Sequence, residues 1–446
     1  MSSPSLRVRP GVALVLLTSL AWGHPIFAAE LLRVGLVEGS PPSLTVPWQS
    51  DVPASASVLL LLRRPACRLM PDAAPIDWGA KPPVSLEPRL WQIEVGDADI
   101  ARRAAALYER LRTSNSPYRA LLAPVQRVRA KDATLLLTTA YPWPDFATAA
   151  CHPALAVFPG AYEKSGKRWV FNPARLPGNA LPKGLTLERI DPRTAERKRA
   201  LGELEVVLGE APNAEAPDAT RMRFATYLAF RPARTGPHFR AAVASLDREA
   251  LARGFARQPA QTFATLLPAP FQVAPLQPPM PSPEPLAAQR TVELLYDVDV
   301  QDQARVAERL QLALHPLGYR LVLVPLTRAA LESQWAGRKA GLALISLLLP
   351  QDASNAFAVV LEAAGRHDLL PLELPPLGAL APSERAARVD TRSHTLLPTL
   401  SWFPLFVQGA AVNVTPAASG LQSEAHGVPL LESLFFEPQP QPNEAP

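Results

Sequence analysis

Residues 291–324 read TVELLYDVDVQDQARVAERLQLALHPLGYRLVLV. Residues 291–297 have the apolar pattern of a strand, residues 302–314 have the period of an amphipathic helix, and residues 319–324 form a second strand pattern. Gly318 stands where a left-handed residue closes such a helix. This order predicts a βαβ crossover, which requires a parallel sheet and a right-handed connection. The chain is therefore predicted to be an α/β protein.

Length and composition indicate a folded chain of two or three domains. The chain has 446 residues, of which 48% are apolar and 19% are charged, so it is neither a disordered chain nor a bundle of membrane helices. Proline is unusually common, with 51 residues, which indicates many extended and loop segments. The 45 basic and 40 acidic residues give a net charge of +5 without a basic run, so no nucleic-acid partner is predicted.

Residues 1–29 have the order of a secretory signal peptide. Arg7 and Arg9 precede an apolar run over residues 11–22, and the small residues Ala28 and Ala29 follow it. The run is too short to cross a bilayer, which needs about 20 residues. No cysteine stands at the cleavage point, so no lipid anchor is predicted. The mature protein is expected in a periplasm or an equivalent compartment.

The chain contains two cysteines, Cys67 and Cys151. In an oxidising compartment they would form either one disulfide or two buried free thiols, and the sequence leaves both open because it does not give the distance between their Cα atoms. A disulfide closing a loop of about 85 residues would add about 4–5 kcal/mol of stability on the chain-entropy model. His152 adjoins Cys151 without a second ligand pair nearby, so no metal site is predicted.

Local patterns outline a first α/β unit and the start of a second. Residues 31–37 predict a buried strand, residues 99–111 an amphipathic helix, and residues 125–138 two strands around a polar turn. Residues 239–254 predict one helix with an apolar face.

Two proline-rich stretches are predicted to lack regular structure. Residues 259–285 contain nine prolines and read as an extended surface connection. Residues 437–446 are polar and proline-rich, and they read as a disordered tail.

Compact motifs of catalysis and nucleotide binding are absent from the sequence. It contains no G-x-S-x-G, no P-loop, no H-E-x-x-H, no C-x-x-C and no G-x-G-x-x-G after a strand. Catalytic triads assemble in space rather than in sequence, so this absence lowers the odds of an enzyme without excluding one. The prediction is a non-enzymatic protein without a cofactor.

The order of several segments resembles the family 5 extracellular solute-binding proteins, the dipeptide, oligopeptide and nickel receptors of ABC importers. The segments are LRVGL at 32–36, YLAF at 227–230, LDR at 246–248, the βαβ unit with Gly318, and WFPLF at 402–406. The resemblance runs through nearly all of the mature chain in the right order. The most specific match is Arg240, Ala242 and Val243 followed by residues 246–248.

This resemblance implies a two-lobed periplasmic binding protein-like fold. The first lobe would comprise residues 30–231 with 400–436, and the second residues 232–399. Two crossings, near 228–234 and 400–407, would act as a hinge between two separately packed lobes that close over a ligand.

The function implied by the resemblance is that of a monomeric receptor. It would capture a small-molecule or peptide-like ligand between its lobes and deliver it to the permease subunits of an ABC importer. The alternative is a degenerate binding-protein fold that acts as a sensor or interaction module without transport.

The sequence departs from the family where a peptide would bind. In peptide receptors, a Trp and an Asp upstream of a D/E-P pair line the cleft, and the Asp holds the ligand's α-amine. If Asp352 matches that pair, these positions fall on Ser346 and Leu349. Because a buried ammonium without a carboxylate is costly, ordinary peptide binding is not predicted.

By analogy, four residues are candidates for contact with a ligand in the cleft. Tyr227 and Trp402 would stack on the ligand or else pack in the core. Arg231 would bind a carboxylate bidentately or else lie exposed at the hinge. Asp352 would face the ligand or else cap the helix that follows it.

Overall fold

The computed structural model describes most of the chain after the leader. The described ranges are 31–70, 75–176, 181–209, 223–255, 260–268, 271, 283–337, 340–415 and 418–436. The predicted signal peptide, the predicted disordered tail and about half of the proline-rich stretch 259–285 lie outside these residues. The described part corrects the prediction of an unstructured surface connection, because residues 260–262 form a strand in the second sheet and Phe263 and Leu266 are buried.

The strands are mostly short and are distributed along the whole described chain. They are β1 (Leu31–Leu36), β2 (Arg63–Arg64), β3 (Cys67–Arg68), β4 (Ile76–Asp77), β5 (Val84–Glu87), β6 (Leu90–Glu94), β7 (Val125–Lys131), β8 (Thr134–Thr139), β9 (Phe158–Pro159), β10 (Tyr162–Ser165), β11 (Arg168–Phe171), β12 (Gly184–Arg189), β13 (Val206–Leu208), β14 (Phe224–Phe230), β15 (Ala260–Thr262), β16 (Arg290–Asp297), β17 (Tyr319–Leu326), β18 (Leu342–Leu348), β19 (Trp402–Gln408), β20 (Val412–Val414), β21 (Ala418–Ser419), β22 (Gln422–Ser423), β23 (Pro429–Leu430) and β24 (Phe435–Phe436).

The helices are interspersed with these strands. They are α1 (Pro53–Leu62), α2 (Ala98–Arg112), α3 (Phe146–Ala149), α4 (Pro192–Ala200), α5 (Pro232–Thr235), α6 (Phe239–Ala244), α7 (Arg248–Phe255), α8 (Gln301–Leu314), α9 (Arg328–Ala336), α10 (Ala353–Ala363), α11 (Leu370–Gly378) and α12 (Pro382–Leu396). Among the described residues, every helix is too short or too polar to cross a membrane.

The predicted βαβ unit is present and belongs to a six-stranded sheet. Strands β16 and β17 pair in parallel along their whole length, with helix α8 between them in sequence. Gly318 has a φ of 89° and closes the connection in the left-handed conformation, where a Cβ would meet Leu286 at 2.7 Å. The sheet order is β15-β19-β14-β18-β16-β17. We call this sheet, with helices α5–α12 that follow strand β14 in sequence, the second lobe, and its limits stay a prediction.

A second six-stranded sheet and a four-stranded sheet form the first lobe. The six-stranded sheet has the order β10-β11-β12-β1-β13-β20, and the four-stranded sheet has the order β5-β6-β8-β7. Helix α2 packs on the four-stranded sheet. Asp97 caps this helix by accepting a hydrogen bond from the Ile100 backbone N–H at 2.8 Å. Its buried stripe of Ile100, Ala104, Tyr108 and Leu111 agrees with the predicted amphipathic face.

The chain passes twice between the lobes, at positions displaced from the predicted crossings. Strands β14 and β19, which contain most of the predicted crossing segments, pair with each other inside the second sheet. The passages therefore run from β13 to β14 and from β19 to β20. They meet where the Gly209 N–H donates to the Ala411 carbonyl at 2.9 Å. The exact limits of the lobes stay a prediction.

The single helix predicted over residues 239–254 is wrong, because two helices occupy this range. Helix α6 ends at Ala244 and α7 begins at Arg248. The Asp247 carboxylate accepts a hydrogen bond from the Ala250 backbone N–H at 2.9 Å, so it caps a new helix instead of continuing the old one.

The lobes share apolar packing, which corrects the expectation of two separately packed bodies. The largest buried cluster contains Trp91, Tyr108 and Phe146 of the first lobe together with Phe357 and Val389 of the second. All nine residues from Ala353 to Leu361 of helix α10 are buried. What remains of the groove is a cavity at the edge of this shared core.

Cys67 and Cys151 form a disulfide within the first lobe. Their Cα atoms lie 4.6 Å apart and are separated by 84 positions in sequence. The bond ties strand β3 to the segment that follows helix α3. Of the two states that the sequence leaves open, the structure contains the paired one.

Candidate ligand site between the lobes

A cavity of about 600 Å³ lies between the two lobes. The first lobe contributes Asn115, Pro117 and Arg119, and the second contributes side chains of helix α9, the end of helix α10 and the segment 399–401. A volume of this size matches the range in which proteins bind small molecules. Asn115 is exposed, so the cavity communicates with solvent.

Next to the cavity, a buried ion cluster joins the lobes around Arg328. The guanidinium donates to Asp51 of the first lobe and, at 2.5 Å, to the Ser346 carbonyl of the second. Asp297 lies 3.6 Å and Glu332 4.0 Å from the same guanidinium. Burial alone would lower the pKa of Arg328, but these carboxylates outweigh it and hold the pKa above its ordinary value.

Tyr118 adds a second bridge at this cluster. Its hydroxyl donates to Asp51 at 2.8 Å and accepts a hydrogen bond from the Leu348 backbone N–H at 2.8 Å. Burial, with the nearby Asp51 charge, raises the pKa of Tyr118 well above its ordinary value. The hydroxyl is therefore protonated and keeps its donor role near neutral pH.

A third set of contacts joins helices α10 and α12 to the first lobe. The Thr148 hydroxyl donates to Asp352 at 2.9 Å, and the Trp143 indole N–H donates to Asn355 at 3.3 Å. Arg385 donates to Asp145 at 2.6 Å. Polar groups of the two lobes thus bond to one another inside the protein.

One predicted site residue, Arg231, lies on the cavity wall. Its guanidinium carbon lies 4.1 Å from the centroid of the Trp335 ring, and one guanidinium nitrogen donates to the Trp335 carbonyl. This combination of stacking and hydrogen bonding fixes the plane of the guanidinium.

The other three predicted site residues have structural contacts. Tyr227 and Trp402 are buried and stack on each other at 5.0 Å between ring centroids, so both pack in the core of the second lobe instead of lining the cavity. The Tyr227 hydroxyl donates to the Leu266 carbonyl at 2.9 Å. Asp352 caps helix α10 by accepting from the Asn355 N–H at 2.8 Å.

The residues that correspond to the cleft positions of peptide receptors are also buried. Ser346 and Leu349 are 0% exposed, and the Ser346 hydroxyl bonds to Thr226 and Gln303 at 2.8 Å each. Neither position is free to hold a peptide amine, which agrees with the departure seen in the sequence.

Sequence reasoning missed Asp51 and Arg328, the centre of the ion cluster. They are 277 positions apart, and neither belongs to a motif. The one local sign is that both are charged residues beside apolar segments, Asp51 ahead of helix α1 and Arg328 after strand β17. A charged residue buried there needs a partner from elsewhere.

Glu332 gives the site a pH dependence. Burial raises the pKa of its carboxyl to about 7 from an ordinary value of 4.5, so the folded protein holds this proton more tightly than the unfolded chain. The stability gained is complete below about pH 4.5 and is lost as the pH rises through about 7. We expect Glu332→Gln to become more stable relative to the parent by about 2.5 kcal/mol between pH 5 and 8, measured by urea unfolding at several pH values.

Exposed Glu163→Gln on strand β10 is the control for this series. A stability difference between Glu332→Gln and the parent that stays constant from pH 5 to pH 8 contradicts the assignment of the proton to Glu332.

Comparison with known proteins gives structural matches only. No protein-family model and no curated protein sequence matches the chain. DppA from Helicobacter pylori, an ABC transporter-associated periplasmic binding protein solved with the peptide STSA, superposes with a TM-score of 0.70 at 12% identity, covering 92% of this chain and 99% of its own.

Two further solved structures have the same architecture. NikA from Staphylococcus aureus, solved with Ni(L-His)2, gives a TM-score of 0.69 at 12% identity and covers 90% of this chain and 98% of its own. OppA from Haemophilus influenzae, solved with the peptide RPPGFSPFR, gives a TM-score of 0.67 at 15% identity and covers 92% of this chain and 99% of its own.

The fold is therefore the two-lobed fold of the ABC-transporter binding proteins. The likeness confirms, at the level of the fold, the resemblance to the family 5 solute-binding proteins that the segment order indicates. The matched proteins are covered almost completely, so this chain retains both lobes.

Proposed function

We propose that this chain is a non-enzymatic solute receptor that captures a small ligand in the cavity between its lobes and delivers it to an ABC importer. The observation that supports this function most is the cavity itself, because both lobes contribute to its wall. A ligand that touches both lobes stabilises the closed form over the open one, and that difference is the signal a permease reads. The receptor would work as a soluble monomer in the periplasm, without a lipid anchor.

A screen of the mature protein by thermal shift tests this function. Peptides, amino acids, organic acids, amines, sugars and metal ions are each added in excess. A ligand present at 100 times its Kd is expected to stabilise the protein by about 2.7 kcal/mol. A complete absence of stabilisation by every class would contradict the receptor function.

The hinge is tested separately by small-angle X-ray scattering. Binding of a ligand identified in the screen is expected to reduce the radius of gyration, because it shifts the population toward the closed form. An unchanged radius at saturation would contradict closure while leaving binding intact.

The alternative is a degenerate binding-protein fold that acts as a sensor or interaction module without transport. The shared core supports it, because helix α10 is buried against the first lobe and the family's ligand positions are filled by internal contacts. A protein that binds no solute but is recovered with a defined partner would favour this reading.

A further inference from the structure

A second cavity, of about 260 Å³, lies within the first lobe. Of the described residues, ten line it, and none of them lines the cavity between the lobes. Three are arginines, six are apolar, one is a threonine and none is acidic, so the wall carries three formal positive charges. The lining residues are Leu44, Thr45, Arg63, Ile100, Arg103, Ala106, Leu107, Arg110, Val157 and Pro159.

Helix α2 presents two of these arginines on one face. Arg103, Leu107 and Arg110 follow one another at spacings of four and three residues, so their side chains are neighbours along the helix. Both arginines are exposed. The Arg110 guanidinium donates to the Thr45 carbonyl at 3.2 Å, which holds it beside the cavity. A guanidinium has five N–H donors, so this bond leaves donors for a ligand.

Strand β2 contributes the third arginine. Arg63 lies opposite Pro159 of strand β9, and successive side chains of a strand point to opposite faces. The next residue, Arg64, donates to Glu432 at 2.6 Å. The Nε of Arg63, in contrast, is buried and makes no hydrogen bond within the described part of the chain. One of these neighbouring arginines is thus balanced inside the protein, while the other lines the cavity.

The three guanidiniums lack a carboxylate to offset them, since none forms an ion pair with another described residue. Burial lowers the pKa of Arg63, and repulsion by Arg103 lowers it further. The pKa of the Asp97 carboxyl is lowered mainly by its hydrogen bond from Ile100 and only in smaller part by Arg103. A bound anion would offset this accumulation of like charge.

The size and charge of the cavity favour a phosphate group. Its volume is just below the range of about 300–1,000 Å³ in which proteins bind drug-sized molecules, so the ligand has to be compact. A phosphomonoester carries about −1.5 to −2 charges at pH 7 and has three acceptor oxygens, whereas a carboxylate carries one charge. Arginine matches the geometry of phosphate oxygens well.

We propose that the first lobe binds a phosphate dianion, free or as a monoester, between Arg63, Arg103 and Arg110. The apolar side chains of Leu107 and Val157 would pack on the organic part of an ester. Because this site is separate from the cavity between the lobes, the proposal does not depend on the receptor function.

The test compares compounds that share a ring and differ in charge. The mature protein is titrated calorimetrically at pH 7.5 and low salt with inorganic phosphate, phenyl phosphate, benzoate and phenol. We expect at least one of the two phosphates to bind at least 10-fold more tightly than benzoate, and phenol not to bind. Its affinity should fall as the NaCl concentration rises, because Arg103 and Arg110 are exposed to screening ions. Equal or tighter binding of benzoate, or no binding of either phosphate, overturns the proposal.

Vesicles distinguish a soluble phosphate from a lipid headgroup. The protein is sedimented with phosphatidylcholine vesicles that either contain or lack phosphatidic acid, whose headgroup is a phosphomonoester. Cosedimentation that requires phosphatidic acid and is lost in Arg103→Gln supports the site and identifies a lipid as its ligand. Binding of phenyl phosphate without such cosedimentation supports the site with a soluble ligand.

Variants of helix α2 locate the binding. Arg103→Gln and Arg110→Gln are each expected to weaken phosphate binding by about 10- to 100-fold, the usual effect of losing a hydrogen bond to a charged group. Both residues are exposed, so the variants should fold normally, which the unliganded melting temperature checks. The matched control is Arg102→Gln, an exposed neighbour on the same helix that pairs with Asp99; it should bind as the parent does. Parent-like affinity in Arg103→Gln and Arg110→Gln overturns the proposal.

Arg63→Gln tests the buried arginine with two readouts. It should weaken phosphate binding by a similar factor. It should also keep or raise the melting temperature of the unliganded protein, because it removes a charge that burial and Arg103 disfavour. A lower melting temperature together with parent-like affinity would show that Arg63 has a structural role, and would overturn its place in the site.

Discussion

Replacing Arg328 by methionine is expected to lower the free energy of unfolding by about 3–5 kcal/mol, the usual cost of removing one partner from a buried ion pair. The Arg328 side chain is only 7% exposed, and its partners Asp51 and Asp297 are 1% and 0% exposed. The variant leaves both carboxylates in the interior without their cation. Urea unfolding of the mature protein, followed by circular dichroism, measures the loss.

Two further variants separate the ion pair from a general effect of losing an arginine. Arg102→Met removes a surface arginine whose partner Asp99 is 71% exposed, and stability should hardly change. The double variant Asp51→Leu with Arg328→Met should recover part of the loss, since a buried pair is often replaceable by apolar groups. A loss below about 1 kcal/mol for Arg328→Met would contradict the expected contribution of the buried pair to stability.

Replacing Cys67 and Cys151 together by alanine is expected to lower the free energy of unfolding by about 4–5 kcal/mol. The bond closes a loop with a sequence separation of 84, and in the chain-entropy model a loop of this length restricts the unfolded chain strongly. Denaturant unfolding of the oxidised parent and of the double variant gives the difference.

Reduction of the parent provides the matched control. With dithiothreitol, the parent should approach the stability of the double alanine variant, and the variant itself should not respond. Identical unfolding curves for the oxidised parent and the variant would contradict the expected contribution of the bond.

Local patterns were sufficient to predict the elements that depend on their own residues. The βαβ unit over 291–324 follows from alternating strand and helix periods and from a glycine placed for a positive φ. Helix α2 follows from its apolar stripe, with an aspartate cap supplied by Asp97. In both cases the information lies within a few turns of chain.

Features that depend on distant contacts were not predictable. The break at Asp247 is an exception, since its cause is local. The Asp247 carboxylate bonds to the backbone N–H of Ala250, three residues further on, although the apolar period continues through this cap. Tyr227 and Trp402 are aromatic residues, which are suited to stacking on a ligand as well as to packing in a core. The sequence does not distinguish these two roles, because the tertiary structure determines which residues surround them. The ion cluster needs Asp51 and Arg328, which a one-dimensional pattern does not connect.

The guanidinium of Arg328 also has a kinetic consequence. Separating the lobes pulls it away from Asp51, which is 1% exposed, and dissolved salt screens such a buried pair less than an exposed one. Any opening that breaks this pair is therefore expected to depend only weakly on ionic strength. In the proposed receptor, a captured molecule would leave only after this pair is broken, and a docked partner that separates the two halves would speed its release.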